Sequence, residues 1–351
     1  MIKRKQTRKI KLGSMFIGGD SPISIQSMCT TKTYDTINTL KQIKKLEQAG
    51  CEIVRIAIPD MESAEAIKSI KSRINIPLIA DIHFDYRLAI AAIDADIDGI
   101  RLNPGNIGSE EKIKLVIDKL KEKNIPVRIG VNSGSIAKHI LSKYGVSAQG
   151  IVESALEHVK ILEKHNYDNI KISVKASSVP LTIESYRLLS QKTDYPLHLG
   201  VTESGTDFAG TIKSSIGIGT LLAEGIGDTI RVSLTADPVN EIVVAKQILK
   251  SLNLRKGLEL ISCPTCGRTN IPLIDIVNEA QKQLEPFANL DITVAVMGCE
   301  VNGPGEAREA DYGIAGGKNE GLVFKKGEII KKVPTDMLIP ELLKLIKADI
   351  K

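Results

Sequence analysis

Eight short β-branched runs, each closing on polar residues, alternate with amphipathic stretches through the first two-thirds of this chain of 351 residues. The runs span 23–28, 52–58, 77–83, 99–104, 126–132, 169–175, 196–203 and 229–235. Helix-period segments lie between them, among others at 37–49, 61–71, 86–95, 110–123, 152–164 and 240–252. Strand and helix alternating in this way predict a (β/α)8 TIM-type barrel. The rival, an open doubly wound sheet, gathers its ligand residues at one switch point. Here nearly every run carries chemistry instead. Arg55 is on the second, Asp81 and His83 on the third, Arg101 and Asn103 on the fourth, and Arg128 and Asn132 on the fifth. Lys175 ends the sixth, Thr202 and Glu203 the seventh, and the eighth holds Arg231, Ser233 and Thr235.

Barrel enzymes assemble their sites from the C-terminal ends of the strands. Arg55, Arg101, Arg128, Lys175 and Arg231 would then converge on one mouth and repel one another unless an anion joins them. A phosphate or diphosphate fits, because arginine grips it through forked hydrogen bonds. Any one strand-end arginine is as readily a rim ion pair; all five together favour an anion site. His83 and Glu203 are candidate acid/base groups, although a strand-end histidine is equally often a hydrogen-bonded structural residue. Glu203 stands between Thr202 and Ser204-Gly205, in a loop at the mouth. The tight polar turns 103–106 and 132–135 could add backbone amides facing an anion.

After residue 252 the pattern changes. A strand at 258–261 leads into Cys263-Pro264-Thr265-Cys266, a helix follows at 272–283, and a strand at 292–297 leads into Gly298-Cys299. A hairpin around Lys326-Gly327-Glu328 and a last helix over 335–347 complete a small α+β domain. The boundary falls between a barrel of residues 1–253 and a second domain of 254–351. Cys-x-x-Cys sets two thiolates close enough to grip one metal centre, and a third from another loop completes a three-sulfur face. Spacing alone leaves zinc, an iron–sulfur cluster and unrelated thiols open. Structural zinc wants four ligands, so the missing fourth sulfur favours the cluster. Glu306, seven residues after Cys299, could return as an oxygen ligand. Cys29 is the less favoured fourth ligand, and Cys51 reads as core.

Composition closes off other classes. Aromatic residues make up 3% of the chain and tryptophan is absent, which argues against a surface that stacks nucleic-acid bases. Net charge is +5, part of it from Lys3, Arg4, Lys5, Arg8, Lys9 and Lys11, and these read as a solvated basic edge rather than a nucleic-acid arm. No apolar run approaches the roughly 18 residues of a membrane span, and the basic N-terminus lacks the apolar core of a signal peptide. Five cysteines, three of them in metal-like spacing, point to a reducing cytoplasm.

Taken together, these segments resemble the family of bacterial 4-hydroxy-3-methylbut-2-enyl diphosphate synthases of the non-mevalonate isoprenoid pathway. The resemblance rests on Gln26-Ser27-Met28, 52–55, 80–87, 101–108, 128–134, 172–175, 200–203, 225–235, 263–268 and 298–306. It implies a 4Fe-4S cluster held by Cys263, Cys266, Cys299 and Glu306. The implied substrate is a cyclic diphosphate, 2-C-methyl-D-erythritol 2,4-cyclodiphosphate. Its phosphates would fall to Arg55, Arg101, Arg128, Lys175, Thr202, Arg231 and Ser233. Glu203 would be the acid/base group, and Asn302 would reach the substrate from the cluster domain. Flavodoxin or ferredoxin would donate electrons, and a head-to-tail homodimer would share sites between subunits. Cys29 and Thr31 depart from the small polar residues expected there, and Glu300 adds a charge beside a ligand loop. The extra middle domain of plant-type members is absent. A reading from another class remains: a barrel that binds a folate- or RNA-like anion, with a structural zinc domain and no redox chemistry.

Overall fold

Side chains alternate along the barrel strands: on runs such as Val127–Asn132 and Ile170–Lys175, valine and isoleucine fill the outward positions, packed beneath the helices, while polar residues and glycine take the inward ones. In the computed structural model, which describes residues 2–299 and 307–350, an antiparallel hairpin comes first: β1 (Ile10–Leu12) and β2 (Met15–Ile17). Six barrel strands follow: β3 (Ser24–Met28), β4 (Ile53–Ala57), β5 (Leu78–Asp81), β6 (Gly99–Arg101), β7 (Val127–Asn132) and β8 (Ile170–Lys175). Two very short ones, β9 (His198–Leu199) and β10 (Thr229–Ile230), complete the set. Pairing runs β8-β7-β6-β5-β4-β3-β10-β9. A parallel bridge between Ile172 and Leu197 closes the ring. The (β/α)8 barrel expected from the alternation is therefore present.

A helix follows each strand, and an additional one (Lys138–Tyr144) is inserted after β7. Side-chain caps set several starts. Asp35, Asp60, Asp85, Ser147, Ser178 and Asp237 each accept a hydrogen bond from the first turn of the helix that follows, satisfying amides that have no partner within the helix.

The basic N-terminal segment is only in part the solvated edge its charge suggested: Lys3, Lys9 and Lys11 are exposed, whereas Arg4, Lys5 and Arg8 are tied to the barrel. Arg4 pairs with buried Asp228 at 3.1 Å. Lys5 donates to the carbonyls of Ser190 and Thr193. Arg8 bonds Asp194 at 3.0 Å and lies over the Tyr195 ring. Beyond it, Leu12 and Ile17 pack on Ile53 and Ile79, so the hairpin closes the N-terminal end of the barrel.

The structure divides into two compact units, 1–252 and 253–351. In the second, β11 (Glu259–Ser262), β12 (Thr293–Met297) and β13 (Tyr312–Ala315) run parallel. The strands β14 (Glu320–Lys325) and β15 (Glu328–Pro334) add an antiparallel hairpin. Val294, Val296, Ile314 and Val323 on this sheet meet Leu338, Leu342 and Ile346 of the last helix, Leu338–Asp349.

Candidate active site

Because side chains alternate along a strand, the residues singled out at the strand ends share the barrel's inner face. A cavity of about 140 Å³ opens there. All five expected cations line it, and so do Asp81, His83, Asn132, Thr202 and Ser233. Gly130 and Ser173 complete the wall. Gly200 is required for space: a Cβ there would lie 2.6 Å from the Arg231 backbone oxygen and would crowd Lys175 Nζ.

Negative charge in this wall is scarce. Asp81 is 3.9 Å from Arg55 and 3.6 Å from Arg101, and Glu241 is 3.9 Å from Arg231. Among the described residues, Arg55, Arg101 and Arg231 thus share two carboxylates at distances longer than a good ion-pair hydrogen bond, and no carboxylate pairs with Arg128 or Lys175. Burial by itself would raise Asp81, but Arg55, the His83 hydrogen bond, Arg101 and Arg128 outweigh it and hold the carboxyl well below the usual range. Burial, then repulsion from Arg55 and Arg101, pushes Arg128 well down. Lys175 is pushed down by burial and by Arg128, Arg231 and Arg55, and Arg231 falls to about 10 through burial and Arg55. A cavity that destabilises its own cations favours a bound anion.

Secondary partners orient the cations. Met28 Sδ accepts from Arg55 Nε at 3.1 Å and Nη2 at 2.9 Å. Arg101 reaches the Gly130 carbonyl at 3.2 Å and the His83 ring at 3.2 Å. Glu241 accepts from Ser27 Oγ at 3.0 Å and from the Leu234 amide at 3.1 Å. Met28, Ser173, Gly200 and Glu241 were not singled out from the sequence as site residues. The period of two on β3 and β8 points Met28 and Ser173 inward; nothing local marks Glu241, which lies on a helix.

Asn103 sits differently from the other predicted residues. It is 2% exposed, donates to the Gly130 carbonyl at 2.8 Å and accepts from the Gly130 amide at 3.0 Å. Its amide is spent on locking β7 rather than facing the cavity. Glu203 is exposed, in the left-handed region at φ +52°, and among the described residues no hydrogen bond or ion pair holds its carboxylate. A non-glycine residue there is uncommon, and such backbone clusters at functional sites.

In the second unit, β11 and β12 are adjacent and parallel, so Cys263 and Cys299 follow neighbouring strand ends. The Gly298 amide donates to Cys263 Sγ at 3.2 Å. Cys266 is exposed, and the Arg268 amide holds its thiol below the ordinary value. All three are free thiols. Among the described residues no three His, Cys, Asp or Glu side chains already form a metal-holding group. Glu306, Asn302 and Glu300 lie outside the described residues. Cys29 is buried, which pushes its thiol up to about 12 and makes it a poor thiolate donor.

The GcpE TIM-barrel domain matches residues 7–246, and the GcpE protein C-terminal domain matches residues 259–348. The chain belongs to the GcpE family. One relative is 4-hydroxy-3-methylbut-2-en-1-yl diphosphate synthase (flavodoxin) of Clostridium perfringens. It is 62% identical over 348 residues, covering 99% of either chain. The protein of the same name from Geobacter sulfurreducens is 58% identical over 351 residues, covering 98% of this chain and 99% of its own. Among solved structures, dihydropteroate synthase from Stenotrophomonas maltophilia superposes with a TM-score of 0.52 at 13% identity, over 70% of this chain and 98% of that one. That likeness shows the barrel fold and brings no folate chemistry with it. No helix among the described residues is long and apolar enough to cross a membrane.

Proposed function

We propose that this chain converts 2-C-methyl-D-erythritol 2,4-cyclodiphosphate to 4-hydroxy-3-methylbut-2-enyl diphosphate: two electrons enter, the ring opens, and one oxygen leaves as water. The observation that carries the reading is the cavity, which five cations line with one carboxylate, Asp81, in a chain 62% identical to a synthase of that name. A cyclic diphosphate supplies the missing negative charge. Arg55, Arg101, Arg128, Lys175 and Arg231 hold its oxygens, with Thr202, Ser233 and Asn132 donating at the edges and Asn302 reaching in from the second domain. Asp81 and His83 fix the arginine fan. Glu203, unengaged at the rim, gives the proton that carries the hydroxyl off as water.

The cysteines fit a 4Fe-4S cluster. Three reduced sulfurs lie outside any disulfide, and one already accepts an amide hydrogen bond of the kind that stabilises cluster sulfur. Cys263, Cys266 and Cys299 would hold it, with Glu306 as the exchangeable oxygen ligand. When bound, it supplies electrons one at a time. The relatives' name points to flavodoxin as the donor, with ferredoxin as the alternative. A reducing cytoplasm suits such thiols.

We further infer a head-to-tail dimer in which each cluster domain serves the partner's barrel. Helix Pro238–Ser251 follows β10 and leads back toward the barrel's N-terminal end, about 20 Å from the cavity at 1.5 Å per residue. The second domain begins in the sequence two residues later, at Asn253.

Anaerobic purification tests the activity. The protein should be brown, absorb broadly near ~400 nm, and turn over the cyclic diphosphate with reduced flavodoxin. A colourless protein holding one zinc, inert towards that substrate, would favour the non-redox binding barrel instead.

A further inference from the structure

Beneath the cation layer lies a second set of buried polar side chains that the reaction above does not use. Along β8, Lys171, Ser173 and Lys175 share one face by alternation; the latter two line the cavity, and Lys171 sits one layer deeper. It is 3% exposed, and its Nζ has no hydrogen-bond partner among the described residues. Its register neighbour on β7 is Arg128, itself 4% exposed with an unpaired Nε. On the same inner face, Gln26 and His198 also carry unpaired buried atoms. No carboxylate pairs with Lys171 among the described residues.

We infer that Lys171 takes up a proton from solvent when a diphosphate enters the cavity, so that substrate binding charges a second layer of the barrel. The inference rests on the diphosphate reading of that cavity. Four groups from neighbouring elements set the local field. Arg128 from β7 and Arg55 from β4 repel an ammonium. Asp228, ahead of β10, attracts it, but is engaged by Arg4, Thr7 and the Leu197 amide. His198 from β9 is held neutral by burial and by the surrounding cations. Burial and Arg128 bring Lys171 down to about 7. In the free protein above that pH the amine is therefore uncharged. Phosphate charge above Arg128 reverses the sign of the field, and the amine then binds the proton. Removing a buried ammonium from water is costly unless an opposite charge compensates; here the substrate supplies that charge.

Calorimetric titration of the cluster-loaded enzyme with the cyclic diphosphate tests this. It is run without reductant, at a pH about 1.5 units above the apo value, in buffers of different ionisation enthalpy, and it counts protons taken up. Lys171→Met should lower the count by about one. Affinity of the parent should fall up to tenfold more per pH unit than that of the variant across this range. Lys171→Arg, which stays charged, must lose the same proton, so the test survives if the methionine variant folds poorly. Equal proton counts in parent and variants overturn the inference while leaving the diphosphate site standing. No binding to the parent at all removes the site reading and the inference with it.

Discussion

Glu203 combines left-handed backbone with a carboxylate that no described residue engages, beside Thr202 of a cationic cavity. Glu203→Gln keeps shape and hydrogen bonding but loses the proton. Calorimetry should show near-normal substrate affinity, and single-turnover kinetics a loss on the order of 10²-fold or more. Undiminished turnover would move the acid role to His83 or water. The cations call for the opposite split. Changing Arg55, Arg128 or Arg231 to Ala removes charged hydrogen bonds worth about 1.5–3 kcal/mol each, a loss of roughly tenfold to a hundredfold in affinity. Melting should shift little, or upward, since each change relieves repulsion among buried cations. A collapsed Tm with unaltered KM would mark them as structural ion pairs. These residues were legible in the sequence because position at a strand end and charge coincide. Glu241 was not: its burial depends on helix Pro238–Ser251 packing against β3, where Ser27 donates to it, a long-range event that helix periodicity does not announce.

At the level of elements, the strands were legible as runs and their lengths were not. The runs at 196–203 and 229–235 shrink to two-residue ladders, β9 and β10. Past those points, side chains take over the backbone groups: Ser204 donates to the Ser233 carbonyl, and Glu241 accepts from the Leu234 amide. The chain is thereby freed from the sheet to form the mouth. The anchoring half of the N-terminal segment escaped the sequence for a related reason. Arg4 finds its partner 224 residues away and Arg8 one of its partners 160 residues away, so local charge density reads as solvated surface. Asp228 is the hub, accepting from Arg4, Thr7 and the Leu197 amide while 1% exposed. Asp228→Ala should therefore lower stability by roughly 1–3 kcal/mol for each buried donor left unpaired, read as a drop in Tm. A double-mutant cycle with Arg4→Ala should show coupling. An unchanged Tm would make the N-terminal segment an ornament rather than a closure of the barrel.

For the whole molecule, the proposed reaction asks which subunit's cysteines would serve a given cavity. The chain reaches its second domain only after helix Pro238–Ser251 has led it away from the cavity. The proposed two-fold head-to-tail arrangement would let each subunit's cysteines serve the partner's cavity rather than its own. Mixing separates the alternatives. Combine a Glu203→Gln chain, which keeps its cysteines, with a Cys299→Ser chain, which keeps its barrel. If sites form between subunits, each mixed dimer holds one intact site, and random 1:1 assortment restores about a quarter of wild-type sites. If sites form within a chain, both variants stay inactive in every combination. Native mass spectrometry of the mixture shows that subunits have exchanged, so an inactive mixture containing mixed dimers would count directly against sharing.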